Sequence, residues 1–152
     1  MDTKKQNEKL VGSLQEILQK NYDAEKGLKE VMLKTENHAL KKWLQHKAVE
    51  RSSFANEIDG ELRKIGAEPR EDGSFLGSAH RVWIDVKTAV AGNKDEAIFE
   101  ECIRGDKASV EEYNKQLKEP YMTGPVVPIL TKQKAKVEQA IAQYKRLEDL
   151  ED

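Results

Sequence analysis

At 152 residues the chain is long enough to bury a core and short enough to be one domain spanning residues 1–152. Its 26 lysines and arginines are interleaved with 28 aspartates and glutamates for a net charge of −2, a pattern without the basic face that a nucleic-acid partner requires. No apolar run approaches the ~20 residues of a membrane span and residues 1–6 lack the apolar core of a cleavable signal, so no membrane partner is expected and a cytoplasmic location is the default.

With 38% hydrophobic and 36% charged residues, order or disorder turns on how the apolar positions are spaced. From Thr3 to Lys34 they recur in steps of three and four, through Val11, Leu14, Leu18, Leu28 and Met32, which predicts an amphipathic helix. A second helix is expected from Glu36 to Ile65, with Leu40, Trp43, Leu44, Phe54, Ile58 and Leu62 on one side. Gly66 then supplies the residue that tolerates positive φ at a helix end. Pro69 and Gly73 break the pattern before a shorter helix capped by Ser74 and running to Val90, which carries Val82, Trp83 and Val86. Asn93 caps a helix from Lys94 to Lys118 that turns Phe99, Cys102, Val110, Tyr113 and Leu117 inward. After Gly124, Pro125 suits the first position of a last helix, expected to reach Glu148 through Leu130, Val137, Ile141, Tyr144 and Leu147. The fold class is therefore all-α, with no strand pattern. Four long helices and a short extra helix in a long crossover between the second and third give the ferritin-like four-helix bundle.

Polar residues on the inward stripes are the candidates for chemistry, because a buried carboxylate needs a cation or hydrogen bonds. Asn21 and Glu25 continue the first stripe, Glu50 and Arg51 sit among the apolar positions of the second, Glu101 and Asp106 flank the third, and Glu138 adjoins Val137. An acidic residue from each of four helices is the raw material of a two-metal carboxylate site, so Glu25, Glu50, Glu101, Asp106 and Glu138 are the candidate metal ligands, for iron or manganese. The competing reading is an ordinary buried ion pair of a carboxylate with Arg51 or Asn21. His38 and His46 lie among lysines and read as solvent-facing, and His80 reads as structural. Cys102 reads as a small buried hydrophobe, and Gly105 inside a helix points to a close backbone approach. No phosphate loop, nucleophile triad or zinc-binding histidine pair is present, so no catalytic or cofactor-binding residue is assigned and an enzyme is the less favoured reading.

Three segments carry a resemblance: Gly66-Ala67-Glu68-Pro69, the stretch from Gly73-Ser74 through Gly77 to His80-Arg81-Val82-Trp83-Ile84-Asp85-Val86-Lys87, and Glu100-Glu101-Cys102-Ile103-Arg104-Gly105-Asp106. Through them the chain resembles an uncharacterised bacterial domain-of-unknown-function family of the ferritin-like superfamily. That resemblance implies the same bundle and leaves the activity open. Metal-using members of the superfamily carry Glu-x-x-His on two helices, whereas here Ser53 follows Glu50 and Ile141 follows Glu138 at that spacing. The resulting expectation is a non-catalytic ferritin-like bundle, stress-associated or interacting, with no cofactor. The alternatives are a two-metal iron or manganese carboxylate protein and a helical protein–protein interaction module. The broad apolar margin of Leu10, Ile17 and Tyr22 leans toward a homodimer.

Overall fold

The computed structural model describes residues 3–69 and 94–150, and among them four α-helices and one short 3-10 helix form, with no strand. Helix α1 is Thr3–Met32, α2 is His38–Lys64, α3 is Lys94–Leu117 and α4 is Val126–Gln143, followed by the 3-10 helix Leu147–Leu150. The expected crossover helix from Ser74 to Val90, with His80 and Trp83, lies outside the described residues.

Local chemistry sets the boundaries. α2 begins two residues later than expected because Asn37 is its cap, its side-chain Oδ1 accepting the Leu40 N–H at 3.0 Å, while the Thr35 hydroxyl accepts the Asn37 N–H. At the other end Gly66 takes φ +81°, as expected. The Gly66 N–H reaches the Arg63 carbonyl at 3.1 Å and the Ala67 N–H the Leu62 carbonyl at 2.9 Å, the paired bonds of a Schellman cap. Ala67 then packs on the core, and Gln15 of α1 donates to the Glu68 carbonyl at 2.6 Å.

The last helix departs from expectation at both ends. Pro125 is the cap residue rather than the first helical one, and Pro128 still falls in the first turn, where its missing N–H costs nothing. The helix stops at Gln143, not Glu148, because Tyr144 turns extended (φ −124°, ψ 117°). The chain then folds back so that Tyr144, Leu147 and Leu150 pack on the core. Asp149 fixes that turn by accepting the backbone N–H groups of Lys145 and Arg146.

Cross-helix contacts give the directions. Leu14 and Leu18 meet Ile58 and Leu62, while Val31 meets Leu40 and Leu44, so α1 and α2 are antiparallel. Lys20 pairs with Glu112 at 3.1 Å and Gln116 donates to Glu16 at 3.4 Å, so α1 and α3 are antiparallel as well. Trp43 lies beside Phe99 and Arg51 beside Ser109, so α2 and α3 run the same way. Hence α3 starts at the end of the bundle opposite to where α2 stops.

Two apolar clusters form along the axis. One gathers Leu14, Leu18, Ile58, Leu62, Met122 and Leu130; the other gathers Leu28, Val31, Leu40, Leu44, Ile98 and Phe99. Each such side chain contributes roughly 1.5–3 kcal/mol by leaving water. Trp43 and Phe99 stack in a tilted pair with centroids 4.9 Å apart. Of the residues behind the homodimer expectation, Ile17 is buried in the chain's own core and Leu10 and Tyr22 pack partly buried against it.

Candidate functional site: a buried polar layer between two apolar clusters

The space between the clusters is filled by polar side chains from all four helices. Lys47 and Arg51 lie one turn apart on α2, on the stripe that carries Trp43 and Phe54, so both point into the bundle. Asp106 of α3 accepts hydrogen bonds from both: from Lys47 Nζ at one oxygen and from Arg51 Nη2 at the other, at 3.0 Å. Arg51 Nη2 also reaches Ser109 Oγ at 3.0 Å, and Nη1 reaches Asn21 Oδ1 of α1 at 3.1 Å. The Lys47 ammonium stands 4.8 Å from the Trp43 ring centroid, a cation–π placement.

Asn21 carries the layer across. Its amide donates to the Ile17 carbonyl at 3.0 Å and to the Tyr113 hydroxyl at 3.3 Å. Tyr113 in turn donates to Gln133 Oε1 of α4 at 2.7 Å, and Gln133 Nε2 donates to the Phe54 carbonyl and to Glu57 of α2. Burial raises the Tyr113 pKa, so its hydroxyl keeps the proton that the Gln133 bond needs.

Beside this layer, between α1 and α3, lies a cavity of about 330 Å³ whose walls include Ala24, Gly27, Leu28, Gly105 and Ala108, with Arg51 and Asp106 also lining it. Cys102 opens onto the same space. It is half-buried rather than buried as expected, and desolvation pushes its thiol up to about 12, so it is protonated at neutral pH and a poor nucleophile. Among the described residues a Cβ at Gly105 would meet nothing within 4 Å, so no described helix makes the close backbone approach expected there.

The five candidate metal ligands are dispersed. Asp106 is engaged by Lys47 and Arg51. Glu101 is buried with Arg104 at 3.4 Å, and it lines the cavity together with Asp106. Glu25 pairs with Lys29 at 2.8 Å on its own helix, Glu50 is half-buried at the edge of a groove on the far side of α2, and Glu138 is exposed on α4. Among the described residues no three His, Cys, Asp or Glu side chains are grouped to hold a metal ion. His38 and His46 are exposed.

Sequence reasoning found Asn21, Arg51 and Asp106 but not Lys47, Ser109, Tyr113 Oη or Gln133 as their partners. The signal for Lys47 is present in the sequence: it falls four residues after Trp43 and four before Arg51, a lysine on an apolar stripe. Gln133 likewise sits three residues after Leu130 and four before Val137.

The family described as "Domain of unknown function (DUF2383)" matches residues 9–119. That stretch holds α2, α3 and every member of the polar layer except Gln133. No curated protein matches the chain, and no solved structure matches it.

Proposed function

The chain belongs to the DUF2383 family, and from that premise we propose a non-catalytic, ferritin-like helical bundle that works without a resident metal and acts through its surface. The observation that carries this reading is the partnership of Asp106. A two-metal carboxylate centre needs inward carboxylates whose negative charge is available to a divalent ion. Here the central carboxylate already faces a lysine and an arginine, both buried, and a divalent cation placed beside them would meet two like charges in a medium that screens poorly. The parallel course of α2 and α3 supports the ferritin-like topology, and the Glu-x-x-His spacing that metal-using relatives carry is missing at Glu50 and Glu138.

The test is elemental mass spectrometry on protein purified without a metal-binding tag, paired with thermal melts in iron(II) and manganese(II). An ion that binds only the native state at about 100 times its Kd adds roughly 2.7 kcal/mol. The expected outcome is substoichiometric metal and an unchanged melting temperature. Near-stoichiometric metal with a raised melting temperature, lost in Glu25→Ala, Glu50→Ala or Glu101→Ala, sinks the reading in favour of the iron or manganese protein.

A further inference from the structure

On the face of the bundle away from the cavity, α2 and the end of α4 bound a groove of about 1230 Å³. Its floor is apolar, with Met32, Trp43, Ala140, Tyr144 and Leu150. Its rim is basic: Lys41, Lys42, His38 and His46 line it against one acid, Glu50. Lys41 and Lys42 are exposed, and among the described residues neither forms an ion pair. Leu33, which also lines the groove, is 82% exposed. The adjoining start of α2 adds the partial positive charge of a helix N-terminus.

The chain itself shows what chemistry this end of the bundle accepts. Its own segment Leu147–Leu150, of sequence Leu-Glu-Asp-Leu, folds back against α2 and α3, with Leu147 and Leu150 packed on the cluster that holds Trp43 and Phe99. Glu148 and Asp149 remain exposed. The segment's leucines show that this end of the bundle accepts apolar anchors, while Asp149 is held by the Lys145 and Arg146 turn; the lysines of the groove's own rim add a preference for acids. We propose that the rest of the groove docks an acidic, leucine-bearing peptide segment of a partner protein, its apolar side chains on Met32 and Tyr144 and its carboxylates on Lys41 and Lys42. Docking of this kind is the helix-in-groove mode, with apolar anchors for affinity and charge for orientation and partner choice. The proposal gives content to the surface role argued above but does not depend on the absence of metal, so the two can fail separately.

The probe is a dye-labelled peptide carrying two copies of the Leu-Glu-Asp-Leu-Glu-Asp tract of residues 147–152, titrated into the full chain and followed by fluorescence anisotropy. Saturable binding is expected, weakened about tenfold or more by Lys41→Glu combined with Lys42→Glu, and weakened as salt rises because the rim charges are exposed. Circular dichroism and the melting temperature of that variant verify that the fold is intact, which the exposure of both lysines predicts. No saturation overturns the proposal. So does equal binding of a peptide whose acids are replaced by lysines, or binding indifferent to the double variant. Light scattering separates a last occupant: a mass of two chains that returns to one in the double variant gives the groove to a second copy and overturns the partner reading.

Discussion

Asp106 receives two cations from successive turns of α2, and one of them, Arg51, also reaches Asn21 and Ser109, so one arginine joins three helices. Removing the acid would leave two buried positive charges facing each other, which costs more than the ion pair itself contributes. Asp106→Ala is therefore expected to lose about 3–5 kcal/mol in urea unfolding. A loss below about 1 kcal/mol would mean that the pair is hydrated and marginal. The sequence made Arg51 and Asp106 visible as polar residues on apolar stripes, because helical periodicity places inward positions without knowing their partners. It could not choose between a metal and an ion pair. Lys47 supplies the second cation of the ion pair, its long aliphatic stem entering from a stripe beside Trp43 while its charge reaches the layer.

Among the elements, α1, α2 and α3 end within two or three residues of where spacing and caps put them, because Gly66 and the leucine stripes are strong local signals. The end of α4 was not legible for the opposite reason. Tyr144 and Leu147 are three apart, a step that suits a helix and a folded-back turn equally, and no glycine or proline marks the break at Tyr144. Two glycines give contrasting expectations. Gly66 adopts positive φ, so Gly66→Ala is expected to destabilise by about 1 kcal/mol. Gly105 lies inside α3 with nothing among the described residues within 4 Å of its missing Cβ, so Gly105→Ala is expected to stabilise by up to about 1 kcal/mol through helix propensity. Thermal melts of the two variants should move in opposite directions, and a destabilised Gly105→Ala would show that the open space there matters to the native state.

For the whole molecule, the position of the polar layer counts for more than its net energy. The clusters on either side are both rich in leucine and isoleucine, and leucine stripes alone let a helix slide by one turn, roughly 5.4 Å, at little cost in buried area. The layer opposes such slips, because only one register lets Arg51 meet Asn21, Asp106 and Ser109 while Tyr113 meets Gln133. If its purpose is register, replacing the charges together should preserve stability but not uniqueness. Lys47→Met, Arg51→Met and Asp106→Leu combined remove the layer's three buried charges, and the apolar replacements fill similar volume. Their gain is offset by the loss of the Arg51 donor at Asn21 and Ser109, about 1–3 kcal/mol for each buried group left unpaired. The combined variant is expected to unfold within about 2 kcal/mol of the parent, far above Asp106→Ala alone. Its amide NMR spectrum should broaden and its core hydrogens should exchange faster at equal stability, as in a bundle that samples more than one register. A spectrum as sharp and as protected as the parent's would show that the apolar stripes define the register unaided, leaving the buried charges without a structural purpose and returning attention to the cavity they line.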